Sequence, residues 1–162
     1  MTDGHAPTEN AVRWRLIDAY HTGLTVSDLD RSIAFYRDLL GMTLVHAQEG
    51  QRPYLAVITG FADVYLRTAF LKASDAALYV LELLEYRSHP GRPLEPMTNQ
   101  PGSGHLCISV SGISEIYAAL SQRGVEFVSP PEPITSGINQ GALGCYLRDP
   151  DGFTIELFEA RT

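Results

Sequence analysis

Leu81-Glu-Leu-Leu-Glu85 recurs near the end of the chain as Ile155-Glu-Leu-Phe-Glu159. Each copy is preceded by a segment that opens with a histidine, His21-Thr-Gly-Leu-Thr-Val26 in the first half and His105-Leu-Cys-Ile-Ser-Val110 in the second. When the two histidines are aligned, further matches follow: Ser27 with Ser111, Ala34 with Ala118 and, after a one-residue gap, Gly41 with Gly124. The chain therefore contains one structural unit twice.

The composition describes a globular chain of ordinary domain size. Of its 162 residues, 44% are hydrophobic and 19% are charged, which is enough apolar material for a substantial core. The net charge of -7 disfavours a nucleic-acid partner, because phosphate backbones are bound mainly through clustered Lys and Arg. No apolar run approaches the roughly 20 residues of a membrane span, and the polar start is unlike a signal peptide. We therefore expect no membrane association and a cytoplasmic protein.

Residue periodicity predicts the same order of elements in both units: a strand, a helix and three further strands. Ser27 and Gly41 are typical of the start and the end of the first helix. Asp149-Pro-Asp-Gly152 is a tight-turn sequence and predicts a hairpin. The elements predicted for the first unit are strands 19–26, 42–48, 64–72 and 78–85, helix 28–40 and a short helix over 54–60. Those of the second unit are strands 105–110, 125–129, 142–148 and 153–159 and helix 113–123, with a Pro-rich turn at 130–133.

The pattern as a whole predicts an α+β fold made of tandem βαβββ modules. The segment between the two units is rich in Pro and Gly, which is typical of a connector. We expect a disordered tail at 1–12, a first module at 13–86, the connector at 87–104 and a second module at 105–162.

Four polar residues occupy equivalent positions of the two units: His21 and Glu82 in the first, His105 and Glu156 in the second. Side chains alternate between the faces of a strand. In these four strands the aliphatic residues belong under the helices, so the His or Glu points to the other face. Burial there without partners would cost several kcal/mol per charge, and a divalent cation would remove that cost. The donor set suits Ni, Co, Mn, Fe or Zn and leaves room for water or substrate. The plainer interpretation is a satisfied or solvated side chain at each strand end.

Other reactive residues receive mainly structural interpretations. Glu85 and Glu159 also recur, but they lie three residues beyond the candidate ligands and face the other way, so we interpret them as surface charges. Cys107 and Cys145 lie in strand-like stretches and are expected to be buried free thiols. His46 lies on a strand at the edge of the expected pocket and is a candidate substrate contact.

The segments 21–42 and 149–157, set in tandem βαβββ units, resemble the vicinal oxygen chelate superfamily, the glyoxalase/bleomycin-resistance/dioxygenase group. The motifs are most similar to glyoxalase I and to methylmalonyl-CoA epimerase. The resemblance implies an eight-stranded, cup-shaped half-barrel around a metal, with helices outside. It assigns His21, Glu82, His105 and Glu156 as the ligands of one divalent ion, in agreement with the alternation of the strands.

The resemblance also implies a function, that of a metal-dependent isomerase, epimerase or lyase. Such an enzyme abstracts a proton next to a carbonyl of a small oxygenated metabolite through a metal-stabilised enediolate. Glu156 is then the first candidate for the base, and Glu82 the second. The alternatives are an Fe(II) extradiol-type dioxygenase and a non-catalytic, antibiotic-like binding protein. A homodimer is expected. Arg67, Arg92 and Tyr146 are candidates for binding an anionic group, against a surface or packing role.

Overall fold

The computed structural model describes residues 14–94 and 97–161, so the tail predicted at 1–12 lies outside the described residues. The first module consists of β1 (His21–Thr25), α1 (Leu29–Ile33), β2 (Thr43–Gln51), α2 (Pro53–Thr59), β3 (Tyr65–Lys72) and β4 (Val80–Tyr86). The second consists of β5 (His105–Ser109), α3 (Ile113–Gln122), β6 (Glu132–Pro133), β7 (Leu143–Arg148) and β8 (Thr154–Glu159). Helix α1 continues as a π-helical segment, Ala34–Leu39. No helix of the described part is long and apolar enough to span a membrane.

Each module forms a four-stranded mixed sheet with the same topology. The strand orders are β1-β4-β3-β2 and β5-β8-β7-β6. Strands β1 and β4 run parallel, as do β5 and β8, and the remaining pairs are antiparallel. The prediction of an α+β fold with tandem βαβββ modules is therefore confirmed. The two histidine-bearing strands, β1 and β5, each form one edge of their sheet.

One hydrophobic core lies on the helix side of both sheets. Alternate residues of the inner strands supply it, among them Leu71 and Leu83 from the first sheet and Leu147 and Ile155 from the second. Tyr36 of the π-helical segment is also fully buried in it. Each such aliphatic side chain contributes about 1.5–3 kcal/mol on burial. Shared packing of this kind holds the two modules together through their helix sides.

Polar contacts at the turn between β7 and β8 reinforce this junction. Asp151 binds the Arg31 guanidinium at 2.6 Å and accepts a hydrogen bond from the Ser27 backbone N–H at 2.9 Å. The Tyr36 hydroxyl donates to Asp149 Oδ2 at 3.0 Å. The hairpin turn predicted from Asp149-Pro-Asp-Gly152 therefore anchors α1 of the other module as well.

The interpretation of Glu85 and Glu159 as surface charges is wrong. Glu85 is 5% exposed, and its carboxylate accepts from the Leu29 backbone N–H at the start of α1. Glu159, which is half-buried, accepts from the backbone N–H groups of Gly112 and Ile113 at the start of α3. A glutamate at the end of the last strand of each module thus neutralises the N-terminus of that module's helix, where unpaired N–H groups favour negative charge.

The prediction of a strand over 125–129 and a turn over 130–133 is also wrong. Only Phe127 forms a bridge, to Leu147, and the short strand β6 lies at Glu132–Pro133. Hydrogen bonds link residues 126 and 128 to β7, but the following Pro130 and Pro131 have no N–H to extend the ladder. Strand pairing therefore resumes only after them.

Candidate metal centre

In the first module, β1 and β4 bring one histidine and one glutamate together. Gly23 of β1 is the register partner of Glu82, and His21 lies two residues earlier on the same face. The His21 Nε2 and Glu82 Oε2 atoms are 3.2 Å apart. A Cβ atom on Gly23 would lie 3.9 Å from that carboxylate oxygen, so the missing side chain leaves room beside the pair. The prediction that His21 and Glu82 share one face of the sheet agrees with this register.

The second module repeats the arrangement with β5 and β8. Cys107 takes the position of Gly23 and is the register partner of Glu156. The His105 Nε2 and Glu156 Oε2 atoms are 3.0 Å apart. Tyr146, which pairs with Glu156 from the other side, places its ring 5.4 Å from that of His105. The symmetry of the sequence repeat is therefore reproduced in the positions of the side chains.

Cys107 is exposed, so the prediction that both cysteines are buried holds only for Cys145. The first sheet has glycine at the equivalent position, and nothing covers this side of β5 in the described chain. Partial desolvation of its sulfur raises the pKa of Cys107 to about 11, and the neighbouring Glu156 carboxylate adds to the effect. The thiol is therefore protonated at neutral pH.

The four side chains form two pairs in this chain, one in each module. Within residues 14–94 and 97–161, no group of three or more His, Cys, Asp or Glu side chains is close enough to hold a metal ion. Each pair nevertheless offers an imidazole nitrogen and a carboxylate oxygen, the donor types that bind divalent transition metals. Each pair has donor chemistry suited to half a metal site, and the histidine of each pair lies on an edge strand of its sheet, where a second half could approach.

Comparisons with known proteins identify the family and the fold of the chain. The sequence profile of the Glyoxalase/Bleomycin resistance protein/Dioxygenase superfamily matches residues 19–157. The chain belongs to this superfamily. It is 30% identical over 142 residues to a lactoylglutathione lyase of Salmonella typhimurium, covering 87% of this chain and 91% of that protein. It is 28% identical over 145 residues to a 2-epi-5-epi-valiolone epimerase of Actinomyces sp, covering 87% and 78%. A glyoxalase family protein from Bacillus cereus superposes with a TM-score of 0.79 at 20% identity, covering 93% of this chain and 98% of that one.

In this glyoxalase-superfamily chain, the candidates for anion binding have different surroundings. Arg67 lies on the helix side, where Asp30, Glu85 and Glu49 bind it at 2.9, 3.0 and 3.2 Å. The hydrogen bond with Asp30 raises the pKa of Arg67 and is the main cause of that shift. Because three carboxylates of the protein already neutralise its guanidinium, Arg67 has a structural role and not a ligand-binding one.

Tyr146 and Arg92 differ from Arg67. Tyr146 lies beside the second His–Glu pair, and burial raises the pKa of its hydroxyl, with the Glu156 carboxylate adding to the effect. Arg92 is exposed in the segment that joins the modules. Sequence reasoning missed Gly23 as part of the site, although its place two residues after His21 on an alternating strand was a usable signal.

Proposed function

We propose that this chain is a divalent-metal-dependent enzyme that removes a proton next to a carbonyl of a small oxygenated metabolite, as an isomerase, epimerase or lyase. The observation that supports the proposal most is the repeated His–Glu pair, with nitrogen–oxygen distances of 3.2 and 3.0 Å at equivalent positions of two modules. Similarity to a lactoylglutathione lyase and to an epimerase favours the same class of reaction.

We further propose that one complete site combines the two half-sites of different copies of the chain. His21 and Glu82 of one copy would face His105 and Glu156 of a second copy across a twofold axis, which yields two equivalent sites in a dimer. Large apolar side chains beside β1 support this assembly, because Tyr20 and Leu78 are 72% and 86% exposed. Exposed apolar groups at an edge strand are typical of an interface.

The roles of the residues follow from the donor set. His21, Glu82, His105 and Glu156 would hold the cation, which supplies Lewis-acid stabilisation of the negative charge that develops on the substrate oxygen. Glu156 is the proposed base and Glu82 the proposed acid on the opposite side. Each carboxylate is within 3.2 Å of a histidine nitrogen, which fixes its orientation before the proton moves.

The decisive experiment combines metal analysis with proton exchange in deuterated water. The purified protein is screened against hemithioacetal, thioester and cyclic keto-polyol substrates, and deuterium is measured at the carbon next to the carbonyl. We expect Glu156→Gln to lower both turnover and deuterium incorporation by about 100- to 10,000-fold. Glu126→Gln, which changes an exposed carboxylate in a loop, serves as the matched control.

Four results would contradict the proposal. The first is a protein that binds no divalent metal, and the second is turnover that survives Glu156→Gln. The third is O2 consumption that requires ferrous iron, which would identify a dioxygenase. Ligand binding that persists after chelation and after loss of all four side chains would instead identify a non-catalytic binding protein.

A further inference from the structure

A β-bulge in β2 changes the face on which His46 lies. The register between β2 and β3 pairs Leu44 with Leu71 and then His46 with Phe70, so Val45 is an extra residue in β2. Strict alternation would place His46 on the same side as Leu44, towards the core. The inserted residue turns His46 to the opposite side instead. Bulges often reorient a side chain next to a functional site.

The face that His46 reaches is the one that carries the first His–Glu pair. We call it the distal face, the side of the first sheet that is opposite the helices and includes Phe70 and Glu82. Across this face the register runs from His46 to Phe70, then to Glu82 and to Gly23. The His46 and Phe70 rings are stacked, with centroids 6.3 Å apart. Since neighbouring strands are about 4.8 Å apart, His46 lies about 10 Å from Glu82.

Lys72 belongs to the same face. It is two residues beyond Phe70 on β3, so both side chains lie on one side of the sheet. Lys72 is the only lysine of the sequence, in a chain with a net charge of -7. Among the residues that the structure describes, Lys72 has no ion pair and no hydrogen bond through its ammonium group. Arg67, on the opposite side of the same strand, is bound by three carboxylates.

We infer that Lys72, His46 and Phe70 form a second subsite of the proposed active site, which binds an anionic group of the substrate. The inference rests on the proposed function, since it takes the His21–Glu82 pair as the end where the reacting carbonyl binds. The substrate class is then an oxygenated metabolite that carries a carboxylate or phosphate several bonds from its carbonyl. Lys72 supplies the charge, His46 a hydrogen-bond donor, and Phe70 the apolar floor between the two ends.

The single lysine allows a direct test. Reductive methylation with [13C]formaldehyde labels only Lys72 and the chain's α-amino group, and it keeps both charges. The metal-loaded and the metal-stripped protein are titrated with 2-oxoglutarate, with its phosphonate analogue 2-oxo-4-phosphonobutanoate and with 2-oxopentanoate, which lacks the second anionic group. We expect the Lys72 signal to shift saturably with the two acids that carry a second anionic group, which bind about tenfold more tightly than 2-oxopentanoate. The tighter of these two acids distinguishes a carboxylate from a phosphate substrate.

Variants then separate a built subsite from general charge attraction. Lys72→Met and His46→Leu should each remove most of the tenfold preference, measured by calorimetry, while metal content stays at the wild-type level. Arg37→Met removes one positive charge from the helix side, where Arg37 pairs with Asp38, and should leave the preference unchanged.

The outcomes for this subsite and for the proposed function are distinguishable. Equal shifts of the Lys72 and α-amino signals, equal responses to all three acids, or an equal effect of Arg37→Met would overturn the subsite. A metal-bound protein without any Lys72 response would overturn the subsite and leave the proposed function in place. A specific Lys72 response in a protein that binds no metal would support the subsite and overturn the metal-dependent reaction.

Discussion

At the scale of single residues, the junction between the modules depends on a buried acid. Asp149 is 5% exposed, and burial is the main reason that its pKa is raised above the usual value of 3.8. Hydrogen bonds from the backbone of Phe153 and Asp151 and from the Tyr36 hydroxyl act in the opposite direction. Burial removes solvent from the Asp149 carboxyl group, which costs free energy. The three hydrogen bonds that this group accepts close the turn and offset part of that cost.

This residue predicts a pH dependence of stability. Because the folded pKa is raised, the folded protein binds the proton of Asp149 more tightly than the unfolded chain does. The contribution of Asp149 to stability is therefore greatest below about pH 4 and falls as the pH rises through the folded pKa. In Asp149→Asn this dependence is absent. Urea unfolding between pH 4 and 7 should show the free-energy difference, wild type minus variant, decreasing with pH; a flat or rising difference would contradict the assignment.

At the scale of elements, helix α3 tests the role of the repeated glutamates. Its first residue follows Gly112, which has no side chain to cap the helix, and Glu159 of β8 takes that place. We expect Glu159→Ala to lower the free energy of unfolding by about 1–2 kcal/mol, because an N-terminal acceptor and its charge are both lost. Glu159→Gln, which keeps one acceptor oxygen, should cost about half as much.

Amide hydrogen exchange in the first turn of α3 is the measurement that checks this expectation. Exchange at Ile113 should accelerate in Glu159→Ala, while residues of α1 keep their wild-type protection. If α3 stays protected in both variants, packing of Ile113 and Leu120 holds the helix and the glutamate is dispensable.

The individual strands and helices also differ in how far the sequence predicts them. Alternation along β1, β4, β5 and β8 was sufficient to place each His and Glu on one face, because the pairing of these strands is regular and contains no bulge. The bulge at Val45 breaks that regularity with one residue, and no turn signal marks it. The burial of Glu85 depends on a helix N-terminus and on Arg67, which lie far away in sequence. Contacts of that kind are set by tertiary packing and leave no local pattern.

At the scale of the whole molecule, the repeat explains why one chain holds two His–Glu pairs at equivalent positions. Each module places the histidine of its pair on an edge strand and the glutamate on the neighbouring inner strand. The modules meet through their helix sides, where α1 packs against the second module. Contact on the helix side leaves the opposite face of each sheet available to a second copy. In a twofold dimer, the first module of one copy would face the second module of the other. Both histidine-bearing edge strands, β1 and β5, would then lie in the interface.

This arrangement predicts that two inactive variants restore each other. One variant carries His21→Ala and Glu82→Ala, and the other carries His105→Ala and Glu156→Ala. In a mixed dimer with shared sites, one site loses all four ligands and the other keeps all four. Half of the dimers formed by co-refolding are mixed, so the mixture should bind about one quarter of the wild-type amount of metal, while each variant alone binds almost none. Metal content measured after gel filtration needs no knowledge of the substrate. If the two variants form folded mixed dimers that bind no metal, the shared-site assembly is excluded.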